Sequence, residues 1–256
     1  MLRTTRPFLL FFTAVILAGI SRSGAQVSTR DSLALSMFYP SYSINLPFAD
    51  LKDRFGITHT AGAGYTFMGH NRWLFSAEGN FIFGPDVKNL ASLLEGIMTG
   101  DGHVISEEGT FANLAITERG YSVLLKAGKL IPLSAANPNT GLVLMAGTGF
   151  LQHKIRIDVS QNNAPQLRKE YKKGYDKMCN GPVVSEFVGY QYLDPGKRIN
   201  FYCGFEFLQA WTYSRRSYYF AEKMRPNEKR FDLMAGIKIG WLVPLYRKTG
   251  REFYYY

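Results

Sequence analysis

The chain has 256 residues, a net charge of +10 and an aromatic content of 15%, with 19 Phe and 16 Tyr. Its two cysteines, Cys179 and Cys203, exclude a disulfide framework and are best interpreted as unpaired thiols. After the N-terminal leader there is no run of about 18 apolar residues, which excludes a transmembrane helix. Abundant Tyr, Phe, Gly and Thr with few helical patterns favour an exported all-β protein.

Residues 1–25 have the pattern of a secretory signal peptide. Arg3 and Arg6 precede the apolar run Phe8–Ile20, and the small residues Ser23, Gly24 and Ala25 follow it. The run is shorter than the roughly 20 residues that a membrane-spanning helix needs. The sequence therefore predicts export and a mature chain that begins near Gln26.

Residues 26–246 are predicted to form one domain of eight strands. Several segments alternate apolar and small or polar residues with period two, the pattern of a strand with two different faces. Pro40 predicts a bulge or an edge-like kink in the first strand, and both faces of the fifth are apolar or glycine. The predicted strands are Leu33–Leu46, Ile57–Met68, Trp73–Phe83, Glu118–Leu130, Gly141–Ile155, Val183–Leu193, Ile199–Thr212 and Phe231–Val243.

The connections alternate between short and long. Short turns are expected at 69–72, 132–140 and 195–198, and long loops at 47–56, 84–117, 156–182 and 214–230. This alternation is typical of outer-membrane barrels. The predicted fold is all-β: an eight-stranded antiparallel transmembrane β-barrel with long extracellular loops.

The aromatic residues provide a second criterion for a membrane barrel. Those predicted at the periplasmic strand ends are Tyr65, Phe67, Trp73, Phe75 and Trp241; those at the outer ends are Phe81, Phe83, Trp211 and Phe231. Two aromatic girdles are typical of outer-membrane barrels. A soluble barrel such as a lipocalin would instead bury its apolar face inside.

Five charged residues on the small-residue faces are predicted to point into the lumen. Charges in a narrow interior are tolerated only when they are paired, so we expect them to form a plug. Eight strands leave an interior only wide enough for side chains, which disfavours a pore. The predicted network consists of Glu78, Lys126, Glu186, Glu206 and Lys238.

The segment Pro85–Met98 in the second long loop has helical spacing. Val87, Leu90, Leu94 and Ile97 follow that spacing, and Asp86 is a plausible N-cap. Two interpretations remain open. The short helix either packs as a lid over the barrel mouth or presents an apolar stripe that docks a partner protein.

The excess positive charge is concentrated in the last two long loops, including the run RKEYKKGYDKM. The predicted extracellular position makes nucleic acid an improbable partner. These residues either contact an anionic partner, such as lipopolysaccharide phosphates or an acidic protein surface, or form a solvated loop. The predicted contact residues are Arg168, Lys169, Lys172, Lys173, Lys177, Arg215 and Arg216.

Residues 247–256 are predicted to form a periplasmic C-terminal tail, since Pro244 suggests that the last strand ends before Arg247. The terminal aromatic residues Phe253, Tyr254, Tyr255 and Tyr256 have two interpretations. They are either part of the signal that the barrel-assembly machinery reads during insertion, or a contact for a periplasmic or membrane partner.

No motif in the chain predicts catalysis, a metal or a cofactor. His59, His70, His103 and His153 are scattered and show no nucleophile spacing, and no Cys-x-x-Cys or His-x-x-x-His pattern occurs. A catalytic triad is recognised by geometry and not by order in the chain. A lipid A-modifying enzyme, known among eight-stranded outer-membrane barrels, therefore remains an alternative to a non-enzymatic role.

Several segments resemble a family of small outer-membrane β-barrel proteins from Bacteroidota. They are the signal peptide, FADLKDRFG, QHKIRI, YKKGYDKMCNG, KIGWLVPLY and the terminal FYYY. The resemblance implies an integral outer-membrane protein attached to that phylum's envelope-assembly or type IX secretion machinery. It implies no catalytic residues. A stand-alone barrel that binds lipopolysaccharide or extracellular ligands through its basic loops is the alternative.

Overall fold

The computed structural model describes residues 34–160, 164–194, 199–227 and 229–245. The predicted signal peptide, residues 1–25, and the predicted C-terminal tail, residues 247–256, lie outside the described residues.

The described chain forms one closed antiparallel sheet. β1 pairs with β2 on one side and with β8 on the other, which closes the ring. The eight predicted strands and the barrel fold are thus confirmed. The strands are β1 Leu35–Ala49, β2 Thr58–Met68, β3 Trp73–Gly84, β4 Asn113–Pro132, β5 Gly141–Ser160, β6 Cys179–Leu193, β7 Asn200–Ser214, β8 Lys229–Trp241 and the short β9 Val243–Leu245.

Pro40 interrupts the pairing of β1 with the last strand but produces no bulge in β1 itself. β1 pairs with β2 in one continuous register that includes Pro40 opposite Ala63. On the other side, β8 pairs with β1 from Ser41 onward and β9 pairs with Ser36–Phe38. Proline has no backbone N–H to donate to a ladder. β9 is therefore the continuation of β8 beyond the gap in pairing that Pro40 causes.

The strands are staggered around the ring. The ladder of paired residues that leaves β1 at Leu35 returns to β1 at Asn45, by way of Met68, Leu74, Gly128, Met145, Phe187, Glu206 and Gly236. Such a stagger means that the strands tilt relative to the barrel axis. We call the end of the barrel from which the loops after β1, β3, β5 and β7 project the loop end. Because of the tilt, when a residue pairs with one on the following strand, the residue on the following strand lies nearer to the loop end.

The outer face of the wall is apolar, whereas the middle of the lumen is polar and charged. Leu125, Phe205 and Ile237 point outward and are 64%, 58% and 53% exposed, whereas the alternate positions Glu206 and Lys238 are both 2% exposed. A water-soluble barrel has the opposite arrangement. Apolar residues outside, polar residues inside and an aromatic band at each end are the arrangement of a barrel that spans a membrane.

The loop end carries most of the irregular structure. Residues 50–53, 165–167 and 169–174 form 3-10 helices, and Leu90–Leu94 forms the short helix α1. β4 and β5 pair from Pro132 and Gly141 at the opposite, turn end to Asn113 and Ser160. They extend beyond the predicted strand ends, so the second and third loops are shorter than predicted. Among the described residues, no helix has the length and hydropathy to span a bilayer.

We expect an arginine in the middle of the outer wall to be costly. Leu125→Arg should lower the free energy of unfolding in lipid bilayers by about 2–4 kcal/mol, because the guanidinium would lie in hydrocarbon. Equilibrium urea titration followed by tryptophan fluorescence measures this. Ile131→Arg, on the same strand at the turn end, is the control and should cost about 1 kcal/mol or less. Equal tolerance at both positions would contradict a membrane-spanning wall.

Candidate functional site in the barrel lumen

Four charged side chains meet at the centre of the lumen. Lys126 Nζ lies 3.0 Å from Glu78 Oε1 and also contacts Glu206 Oε1. Lys238 Nζ lies 2.7 Å from Glu78 Oε1 and 3.0 Å from Glu206 Oε1. Each ammonium group thus contacts both carboxylates. This charge quartet joins β3 and β4 on one wall to β7 and β8 on the other and has no net charge.

Neutral polar groups complete the coordination of the quartet. Tyr39 donates its hydroxyl proton to Glu78 Oε2 at 3.0 Å, and Asn80 donates to Glu78 Oε1 at 2.8 Å. The Tyr39 hydroxyl also lies 2.7 Å from Ser76 Oγ. A buried ion pair is tolerated only when such additional bonds satisfy its remaining lone pairs. The surroundings of Glu78 meet that condition.

Side chains fill the lumen on the turn-end side of the quartet. The rings of Phe187 and Tyr202 meet edge to face at 5.6 Å. A Cβ atom added at Gly189 would lie 2.5 Å from the tip of the Phe187 ring, and one added at Gly204 would lie 2.8 Å from it. The ring therefore fits its place only because both residues are glycines. The remaining cavity measures about 40 Å³. That volume holds one or two water molecules and is too small for a conducting channel.

Glu186 does not belong to the quartet, which corrects the prediction for this residue. Ser185 and Phe187, its neighbours on β6, are 0% and 5% exposed and face the lumen, and Phe187 packs in the lumen core. Successive side chains of a strand point to opposite faces. Glu186 therefore points outward, toward the membrane. The prediction failed because it assigned Glu186 to the small-residue face of its strand, whereas Ser185 and Phe187 occupy the inward positions.

A second buried polar cluster lies nearer to the loop end, and the sequence-based prediction did not identify it. His153 Nε2 lies 2.9 Å from Asp232 Oδ2, and Thr212 donates to the same oxygen. Thr58 donates to Glu118 Oε2 at 2.6 Å. All of these residues occupy inward positions of their strands. A polar residue at an inward position was the signal that could have located the cluster.

The four loops fold over this cluster as a lid. Phe55 packs edge to face on the His153 ring, with centroids 5.6 Å apart. Leu51, Leu94 and Leu167, from three different loops, are buried in one apolar core with residues of the upper lumen. That core lies between solvent and the His153–Asp232 pair. The barrel is thus closed at two levels, by the charge quartet and by the lid.

Hydrogen bonds and ion pairs connect the loops of the lid. Arg54 Nη1 donates to the Lys177 carbonyl at 3.2 Å and to Cys179 Sγ at 3.1 Å. Burial raises the pKa of the Tyr219 hydroxyl, which therefore stays protonated and lies 2.8 Å from Ser214 Oγ. Cys179 and Cys203 are both free thiols, one buried and one exposed.

The predicted helical stripe is not a single exposed face. The helix α1 covers only Leu90–Leu94, and the residue that precedes it is Asn89 and not the predicted cap Asp86. Val87 pairs with Phe55 in an isolated bridge, and Val87 and Leu94 are buried in the lid core. Ile97 packs against that core, whereas Leu90 is 37% exposed. The stripe therefore faces several directions, and most of it is part of the lid.

Most cations of the predicted basic contact group have protein partners. Arg216 binds both carboxylate oxygens of Asp176, Lys177 Nζ lies 2.6 Å from Glu222 Oε1, and Arg168 contacts Glu107. Arg215 donates to Asn180 Oδ1. Lys172 and Lys173 lie at the end of the 3-10 helix, half-buried and exposed respectively. Lys169 begins that helix, and its side chain lies outside the described residues.

The histidines do not converge. His59 is stacked between Tyr42 and Phe83 on the outer wall, and His103 is stacked on Phe111 in the second loop. In the described part of the chain, the Nδ1 atom of His153 has no hydrogen-bond partner. No group of three or more His, Cys, Asp or Glu residues within the described ranges could hold a metal ion.

Comparison with solved structures finds small outer-membrane barrels. The chain is similar to Ail of Yersinia pestis in complex with the heparin analogue sucrose octasulfate, at 10% identity over 82% of this chain and 99% of that one, with a TM-score of 0.42. It is also similar to Neisserial surface protein A, at 9% identity over 81% and 96%, with a TM-score of 0.41. OprG of Pseudomonas aeruginosa matches at 11% identity over 82% and 96%, with a TM-score of 0.38.

No protein-family model and no curated protein matches the chain. The fold assigned to this chain therefore rests on its own strand register and side-chain placement.

Removing one charge of the quartet should be more costly than removing a balanced pair. Lys238→Met leaves two carboxylates with one ammonium group and should lower the free energy of unfolding by about 3–5 kcal/mol. The double variant Lys238→Met/Glu206→Gln leaves the Lys126–Glu78 pair and should recover much of that loss. Urea titration in bilayers measures both. Lys129→Met, which removes an exposed cation 5.8 Å from the Trp73 ring centre, is the control and should cost about 1 kcal/mol or less.

The lid can be tested with two leucines of one helix. Leu94→Ala should lower the free energy of unfolding by about 2–5 kcal/mol, because it opens a cavity in the lid core. Leu90→Ala removes the same atoms from a more exposed position and should cost about 0.5 kcal/mol or less. Protease protection of the loops and urea titration measure the two effects. Equal losses, or none, would contradict the assignment of α1 to the lid.

Proposed function

We propose that the protein is an integral barrel of the bacterial outer membrane with a non-enzymatic, structural or accessory role in an envelope assembly or secretion machine. In the described residues the lumen is filled at the charge quartet and covered by the lid. The surfaces left for contact are the outer wall and the exposed top of the loops. A function through protein contact agrees with that arrangement.

The observation that carries the proposal is the composition of the loop surface. Large apolar side chains are exposed there, with Phe111 at 61%, Tyr171 at 62% and Met224 at 43%. Exposed aromatic residues and methionine are enriched in protein interfaces. The neighbouring cations Arg168, Lys177 and Arg216 already contact carboxylates, so they are less available to phosphate groups. The loop surface therefore favours a protein partner.

The resemblance to small barrels of Bacteroidota supports a role beside that phylum's envelope-assembly or type IX secretion machinery. On this proposal the signal peptide directs export and the barrel-assembly machinery inserts the chain. The tail residues Phe253, Tyr254, Tyr255 and Tyr256 then lie on the periplasmic side. There they serve insertion or bind a periplasmic or membrane partner.

The second candidate function is binding of lipopolysaccharide through the loops. It is favoured by one feature, the 3-10 helix Lys169–Gly174, in which Lys173 and Tyr171 are both exposed. A lipid phosphate would contact the lysine while the aromatic ring packs at the membrane rim. This function requires no protein partner.

Recovery of the protein from native membranes distinguishes the two functions. With an affinity tag inserted at the exposed turn between Asp101 and Gly102, we expect a larger outer-membrane protein to co-purify in fixed stoichiometry. Retention should persist in about 0.5 M salt, because exposed ion pairs are screened there whereas apolar contacts are not. Mass spectrometry identifies the partner, and a reciprocal purification verifies it.

Two variants make the test specific to the loop surface. Tyr171→Ser/Phe111→Ser should release the partner, whereas the charge reversal Lys172→Glu/Lys173→Glu should not. Recovery of the barrel alone, with salt-sensitive binding to lipopolysaccharide vesicles that the charge reversal abolishes, would establish the second function in place of the first.

A further inference from the structure

The outward wall carries a cluster of three polar residues and one isolated histidine near and between its two aromatic bands. Among the described outward residues in this span, apart from Tyr hydroxyls and the Cys203 thiol, the polar residues are His59 on β2, Thr148 on β5, Glu186 on β6 and Gln209 on β7. His59 Nδ1 lies 2.7 Å from the Tyr42 hydroxyl and therefore has a partner. Thr148, Glu186 and Gln209 are neighbours, since Thr148 and Gln209 both pair with Val184, two residues from Glu186.

Glu186 is shielded and has no partner in the described chain. It is 8% exposed, and its cross-strand neighbours are Ala146 and Phe207. No hydrogen bond or ion pair from another described residue reaches its carboxyl group. Ionisable residues within the membrane are costly and mark functional contacts. The hydrocarbon of lipid chains has no hydrogen-bond donor, so a donor at this depth must come from a protein.

The stagger of the strands places a donor at the same depth. Ala146 on β5 pairs with Glu186, and because it lies on the preceding strand it is farther from the loop end. Thr148, two residues further along β5, returns to the depth of Glu186. Its hydroxyl donates to the Val183 carbonyl at 3.1 Å. The small side chain of Ala146 projects little from the barrel surface beside the Glu186 carboxyl group, which allows the surface of another membrane protein to approach closely.

We propose that the outer face of β5 and β6 is the contact between two copies of this chain in the membrane. A two-fold axis along the membrane normal, between β5 and β6, brings Glu186 of each copy opposite Thr148 of the other. Each Glu186 carboxyl group then accepts a hydrogen bond from the threonine hydroxyl of the second copy, which exchanges its bond to the Val183 carbonyl for one across the contact. An isologous contact of this kind requires an acceptor and a donor at one depth on one face, and Glu186 and Thr148 supply both.

Crosslinking in bilayers tests the contact. Ala146→Cys in a Cys203→Ser background should form a covalent dimer with a short thiol-reactive linker in vesicles of phosphatidylcholine and phosphatidylglycerol. Ala63→Cys in the same background, on the outward face of β2 on the opposite wall, is the matched control and should not. Equal crosslinking at both positions, or none at Ala146→Cys, would overturn the proposal. The proposal would also be overturned if this face crosslinked only to a different protein.

Two substitutions of polar wall residues separate a contact role from a structural one. Glu186→Leu should lower the dimer fraction about tenfold, because the two hydrogen bonds between the copies within the membrane are lost. The free energy of unfolding of the monomer in urea should stay the same or rise, because the variant removes an unpaired carboxyl group from the outer wall. Gln209→Leu, which removes a polar group from outside the proposed pair, should leave the dimer unchanged. A Glu186→Leu barrel that is destabilised yet still forms the dimer would assign Glu186 a structural role and contradict the proposal.

Discussion

The charge quartet is the interaction on which the rest of the barrel depends. Inside a narrow lumen, two lysines and two glutamates are stable only when each ammonium group contacts both carboxylates, as Lys126 and Lys238 do with Glu78 and Glu206. Because the quartet joins opposite walls, the register of β3, β4, β7 and β8 has to bring these four side chains to one level. It also occupies the space through which ions would otherwise pass.

The lid has a different physical basis. Toward the loop end, Leu51, Leu94 and Leu167 bury their side chains in an apolar core with strand residues. The His153–Asp232 pair lies beneath Phe55 at the boundary between the two regions. Loops that bury apolar surface in this way are held by the hydrophobic effect as well as by ion pairs. The basic residues of the third and fourth loops mainly connect the lid internally.

With its interior occupied, the barrel meets other molecules through its outside. The wall is suited to lipid over most of its circumference, and the loop surface presents exposed aromatic side chains. Glu186 departs from the pattern of the wall, since a shielded carboxyl group facing lipid lowers the stability of an isolated barrel. A second protein surface that supplies a donor removes that cost. The proposed self-contact and the proposed role in a larger envelope machine use different faces of the molecule.

The sequence by itself determined the strands, their antiparallel order and the two faces of most of them. Period-two alternation and the alternation of turn and loop lengths are local properties of the chain, and they identified the lumen positions of Glu78, Lys126, Glu206 and Lys238. Only the tertiary structure decided where ambiguous segments point. Glu186 lies outside because cross-strand register turns Ser185 and Phe187 inward, and the Pro85–Met98 segment forms only one helical turn because Val87 pairs with Phe55. Both outcomes depend on residues distant in the chain, whose contacts no local pattern contains.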